Sequence, residues 1–367
     1  MLANYRIHLF LTTCFLFCII ATMSQQTNDS VRGSQTTAQK NKLFKTDQPL
    51  EITLKGDVNI LLNDRTGVAK NHPFQLEYRG EDSMMVSLPI EAKTRGNFRR
   101  QNGNCYYPPI LLGFPKGHTK TSSLFKKYNQ LKLVMPCKGD QYIIYEWLAY
   151  RLYNIITPKS FGARLVKIKL VNAKNNKSSK TFYGMLLEEE KQMAKRNGAI
   201  PVKRQLRPEQ AETGSFLTMS VFEFLIGNTD WSVQFMHNVK LIAADSHSHP
   251  EVVPYDFDMS GIVNTPYAQP AEELGMYSVR QRRYRGYCIH DMQTFDQVLG
   301  LFNSKKTEIY DLYTNCSLLD AGYIRSTISF LDDFYKTIND KELVKKEFQY
   351  PCDKNGTGNV VIKGMNK

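Results

Sequence analysis

Two stretches decide the reading of this chain: Gly227-Asn228-Thr229-Asp230-Trp231-Ser232, closed by His237-Asn238, and Val253-Pro254-Tyr255-Asp256-Phe257-Asp258-Met259-Ser260-Gly261. The apolar run 239–243 between them has strand character, so one hairpin brings two carboxylate-bearing turns together. Asp, then Asn, then Asp at neighbouring strand ends suits phosphoryl transfer. One carboxylate orients an attacking hydroxyl, while the amide and the second carboxylate hold a hard cation on the phosphates. The same Asn, Asp and Gly residues also suit the capping of a helix and a hairpin.

The chain has 367 residues, more than the roughly 250 to 300 at which single cores stop growing. Two lobes are therefore expected. Apolar residues make up 42% of it, enough for a folded core. Lys and Arg number 48 against 35 Asp and Glu, a net +13; such a balance favours acidic partners. No nucleic-acid signature accompanies it, so no specific nucleic acid is expected.

Residues 1–24 have the pattern of a signal peptide: Arg6 precedes an apolar run over 9–21, and Ser24-Gln25-Gln26 follows. The mature protein is expected to be exported, periplasmic or secreted into the cell envelope, and to meet a membrane only through this segment. Five cysteines remain: Cys105, Cys137, Cys288, Cys316 and Cys352. An odd count leaves at least one thiol outside any intrachain pair, and no CxxC spacing suggests zinc. Residues 25–45, rich in Gln, Thr, Ser, Asn and Lys, cannot bury enough apolar surface to order themselves and are expected to form a tether.

Alternation from Leu50 onward predicts strands near 50–54, 74–78, 85–92, 109–114 and 130–135, then a helix over 142–155 and strands over 163–171 and 181–187. A polar connector follows, then helices over 215–226, 292–301 and 323–338. The fold class expected is α+β: a two-lobed protein-kinase-like fold with a mostly antiparallel sheet N-lobe (46–190), a mainly helical C-lobe carrying the hairpin (191–350) and a tail (351–367).

Lys93-Thr94-Arg95-Gly96-Asn97 resembles the Arg-Gly-Asn turn of the CotH-type atypical kinases, the spore-coat-like family. Phe182-Tyr183-Gly184-Met185-Leu186-Leu187-Glu188-Glu189 is similar to that family's Tyr/Trp-Gly-x-Tyr-x-x-x-Glu strand. Asn228-Thr229-Asp230 and Pro254-Tyr255-Asp256-Phe257-Asp258 look like its Asn-x-Asp and Pro-Trp-Asp-x-Asp turns. The order matches over about residues 85–262, within a group of exported bacterial envelope proteins related to CotH.

The resemblance implies ATP and Mg²⁺ (or Mn²⁺) as cofactors and phosphorylation of a protein or other hydroxyl acceptor. Asp230 would be the catalytic carboxylate, with Asp256, Asn238 and Asp258 holding metal. Lys132 paired with Glu146 would serve the nucleotide phosphates, with Arg95, Lys93 and Gly96 as rivals in a glycine-bearing turn, and Glu188 of the family-like strand would be a further cofactor-binding residue. Arg280, Arg282, Arg283 and Arg285, interleaved with tyrosines where kinases carry a substrate loop, would suit an acidic protein substrate. Two spacings depart from the family. Asp230 and Asn238 are eight residues apart where the kinase catalytic loop has five, and Tyr106-Tyr107-Pro108-Pro109 stands where the family has lysines.

Two other readings fit the residues. One is a non-catalytic envelope pseudokinase or binding protein. The other is a metal-dependent phosphoesterase built on Asp230, Asp256 and Asp258.

Overall fold

Alternating burial along the first strands sets the architecture of the computed structural model, which describes residues 42–80, 82–115, 123–353 and 362. In β1 (Leu50–Gly56), β2 (His72–Arg79) and β3 (Met85–Thr94), every second side chain is buried. This is the period of a strand with one face on a core. β4 (Ile110–Gly113) and β5 (Gln130–Val134) continue the antiparallel order, and β7 (Phe182–Leu187) pairs with both β5 and β6 (Ala163–Asn172). A short helix α1 (Val58–Asn63) follows β1, its first turn capped by Asp57.

The sheet does not stay open. β6 runs parallel to β1, Leu50 opposite Val166 through to Gly56 opposite Asn172, closing a seven-stranded barrel in the order β1-β2-β3-β4-β5-β7-β6. This corrects the expected fold class: the first part is a closed, mixed barrel, not the antiparallel N-lobe sheet of a two-lobed kinase. The physical reason is that alternation reports which face of a strand is buried but not its partner. Closure leaves no unpaired edge.

Two cores result. Leu54, Leu76, Ile90, Leu112, Leu133, Ile168 and Leu186 fill the barrel. On the outer face of β5, β6 and β7, Val134, Leu165, Met185 and Leu187 join a second core with α2 (Gln141–Ile156) and α4 (Thr213–Ile226). Both helices are buried on nearly every side, so Glu146 and Glu223 are carried inside with them.

Helix α4 stops at Gly227, whose φ of +67° suits glycine at a C-cap. The polar connector is not featureless: it holds α3 (Glu190–Arg196) and β8 (Ile200–Val202), which pairs with β9 (Val239–Ala243). β9 and β10 (Glu251–Pro254) form the expected hairpin. Beyond it come α5 (Gln293–Ser304), α6 (Lys306–Thr314), α7 (Ala321–Ile338) and α8 (Lys341–Phe348).

The described residues fall within one compact unit. Disulfides join Cys105 to Cys137 and Cys288 to Cys352, leaving Cys316 as a free, half-buried thiol. The expected signal peptide, residues 1–24, lies outside the described residues. Of the expected tether, Lys42–Phe44 forms a turn of 3-10 helix that buries Leu43. Of the expected tail, Tyr350–Cys352 forms another, and Ile362 packs with Leu274. No helix among the described residues is long and apolar enough to cross a membrane.

Candidate active site

The hairpin's two turns face a cavity of about 430 Å³ on the outer side of the barrel, lined also by the turn after β3, by β5 and by α2. Small-molecule sites run from roughly 300 to 1,000 Å³.

The long gap from Asp230 to Asn238 is absorbed by a closed loop. Ser232 and His237 exchange backbone hydrogen bonds of 2.9 Å each way, and Met236 and Asn238 take left-handed backbone. The Asn238 amide is thereby returned to Asp230, donating to its carbonyl at 2.8 Å and to its carboxylate at 3.0 Å. His237 Nε2 lies 3.1 Å from the other carboxylate oxygen. That hydrogen bond holds the imidazole pKa above its ordinary value, with burial opposing. Beneath the loop, buried Arg285 donates to the Thr229 and Trp231 carbonyls, both at 2.6 Å, on either side of Asp230.

Across the cavity, Asp256 has a φ of +68°, a conformation in which Asp and Asn are enriched among non-glycine residues. Its N–H donates to the Tyr150 hydroxyl at 2.8 Å. Asp258 is buried, accepts from the Tyr267 hydroxyl at 2.9 Å and faces Arg99 at 3.5 Å. Glu146 is 2% exposed. Burial, and then the neighbouring aspartate charges, raise the pKa of both Asp258 and Glu146, and Arg99 opposes the shift in each. Burial works against the charge on Arg99 in turn, but Tyr267, Asp258, Glu146 and Asp256 more than offset it and hold its pKa high.

The cation assigned to Glu146 is therefore different from the one expected. No ion pair among the described residues joins Lys132 to Glu146; the charge facing Glu146 and Asp258 is that of Arg99. Arg99 lies two residues past Asn97, in the loop that holds the Arg-Gly-Asn turn, and the fold shows that this arginine reaches inward. Lys132 lines the cavity with its ammonium 4.8 Å from the Tyr255 ring centroid. Burial and the Arg95 charge lower its pKa to about 8.

Arg95 and Gly96 also line the cavity, whereas Lys93 and Glu188 are not part of that lining. Glu188 is a buried partner of Arg196 at 3.1 Å and accepts from the Gly162 N–H at 2.8 Å. The four arginines of the expected substrate segment lie outside the lining as well. Arg280 and Arg282 stack on Phe330 and donate to backbone carbonyls, Arg283 donates to the Tyr350 hydroxyl, and Arg285 holds the Asp230 loop. Tyr150, Tyr267, His237 and Arg99 are lining residues that the sequence reading did not select as site residues.

The donor set fits magnesium: Asp256, Asp258 and the Asn238 amide oxygen are hard ligands, and such ions usually take one or two carboxylates plus phosphates. Asp230, Asp256 and Asp258 do not form one tight cluster. Among the described residues, the one set of three His, Cys, Asp or Glu ligand atoms mutually within 4.8 Å is Cys288, His290 and Cys352, and its two sulfurs are bonded to each other.

No family model matches the chain. Comparison with curated proteins likewise gives no match. Among solved structures, the Helicobacter pylori proinflammatory kinase CtkA is similar at a TM-score of 0.39 and 12% identity, over 68% of this chain and 94% of that one.

Proposed function

We propose that this protein is an exported kinase-like phosphotransferase that moves phosphate from Mg-ATP to a hydroxyl acceptor on a protein or other molecule. The observation that carries the reading is the return of Asn238 to Asp230 on the same cavity that Asp256 and Lys132 line. Asp230 accepts a hydrogen bond from the acceptor hydroxyl, orients it and takes its proton as the new oxygen–phosphorus bond forms and the bond from the γ-phosphorus to the bridging oxygen breaks, ADP leaving with that electron pair. Asn238 and His237 hold the two carboxylate oxygens of Asp230, fixing its plane. Asp256 and Asp258, with the Asn238 amide oxygen, would hold magnesium, which neutralises charge on the transferring phosphate when bound. Lys132 and Arg95 supply positive charge to the phosphates. Two disulfides support export, since such bonds persist in oxidising compartments.

The test is incubation with γ-labelled ATP and Mg²⁺. Wild type should transfer label to itself or to an added protein and show a thermal shift with Mg-ATP, and Asp256→Asn should lose both. Absence of any shift with nucleotide and metal in the wild type defeats the reading.

A further inference from the structure

Two cations meet over one ring, and a third shares the cavity that the ring lines. Lys132 Nζ lies 4.8 Å and Lys240 Nζ 5.1 Å from the centroid of Tyr255. Arg95 lines the same cavity as Lys132 and Tyr255. They come from separate elements: the turn after β3, β5 and β9. Their convergence is therefore a property of the fold and not of one basic stretch.

No ion pair among the described residues ties any of the three to a carboxylate. The neighbouring acid Glu190 is occupied by Lys203 at 2.7 Å. Asp256 faces the same cavity, but as the candidate cation ligand. Gathering like charges at a partly buried place raises the energy of the unliganded protein, and the π-face of Tyr255 offsets only part of that cost. A multivalent anion removes the imbalance, and three cations match a chain of phosphates better than a single phosphate.

We infer that Arg95, Lys132 and Lys240 form a binding site for a polyphosphate chain, so that the phosphate donor is held by its phosphates and inorganic tripolyphosphate binds without a nucleoside. Lys240 is the new member, since it belongs neither to the cavity lining nor to the residues that the motifs select. The inference rests on the proposed function only in taking this anion to be the phosphate donor.

Calorimetry on the folded, disulfide-bonded protein tests it, with tripolyphosphate, ATP, GTP, orthophosphate and adenosine as probes. Tripolyphosphate, ATP and GTP should bind within about threefold of one another, and orthophosphate and adenosine at least about thirtyfold more weakly. Lys240→Met should weaken tripolyphosphate and ATP together by about tenfold, the effect of about 1.4 kcal/mol. Lys240→Gln should repeat that loss, and both variants should melt no lower than wild type. Tripolyphosphate affinity within twofold of wild type in either variant overturns the inference, as does an ATP affinity more than thirtyfold above that for tripolyphosphate.

The two readings fail separately. Tripolyphosphate binding that depends on Lys240, in a protein that transfers no phosphate, leaves the anion site standing and removes the kinase. Phosphate transfer from ATP with unchanged affinity in Lys240→Met does the reverse.

Discussion

Asn238 donates to the Asp230 carboxylate at 3.0 Å across a sequence separation of eight residues. The loop between them closes on itself through Ser232 and His237. The long spacing still brings the two side chains together, because the intervening residues leave and return at one point. Arg285 supports the loop from below through the carbonyls that flank Asp230.

Asp230→Asn should lower the phosphate-transfer rate by about 10² to 10⁴, the usual worth of a positioned base. Nucleotide affinity should stay within about twofold, since Lys132 and Arg95 are untouched. Single-turnover kinetics beside equilibrium binding separates the two. Equal losses in both would assign Asp230 to binding.

Arg99→Met leaves Asp258 and Glu146 buried without their facing cation. Breaking a buried charge arrangement on one side costs about 3 to 5 kcal/mol, which urea denaturation would register as a lower midpoint. Adding Asp258→Asn to that variant should restore part of the loss, because the two sites interact.

Lys132→Met should stabilise the unliganded protein while abolishing nucleotide binding. The fall of the Lys132 pKa from 10.5 to about 8 corresponds to at most about 3 kcal/mol of disfavoured charge at neutral pH. Between those two values the unfolded chain holds a proton that the folded chain has released. Wild-type stability therefore gains a contribution as pH rises from about 8 towards 10.5, and below 8 the penalty is present in full. The difference in unfolding free energy between Lys132→Met and wild type should shrink over that window. A constant difference would show that Lys132 carries no buried charge.

The Cys105–Cys137 disulfide links the loop that carries Arg99 to the turn ahead of α2. Arg99 also donates to the Met135 carbonyl beside that turn. Replacing both cysteines by serine should cost about 2 to 4 kcal/mol of stability and weaken nucleotide binding several-fold. The Cys288→Ser/Cys352→Ser variant should lose stability with nucleotide affinity nearly unchanged. Differential scanning calorimetry and ligand titration on the two variants make the comparison.

The strands from Leu50 to Leu187 were legible in the sequence because burial on one face imposes a period of two on adjacent residues. The stop of α4 at Gly227 was equally plain, since a left-handed C-cap selects glycine. Helices α3, α6 and α8 were missed: α3 is only seven residues long, and α8 buries only Phe348, leaving little apolar pattern to read. The acidic turns themselves were found, with Asp230, Asn238, Asp256 and Asp258 all on the cavity.

The sequence by itself determined which residues carry oxygen ligands and charge, and that one hairpin holds two acidic turns, because these properties are local. Only the tertiary structure decided that β6 returns beside β1 to close a barrel, that Arg99 and not Lys132 faces Glu146, and that Lys240 joins Lys132 on one ring. Strand partners and counter-charges are chosen by groups far apart in the chain, whose burial and mutual attraction exist only once the backbone has brought them together.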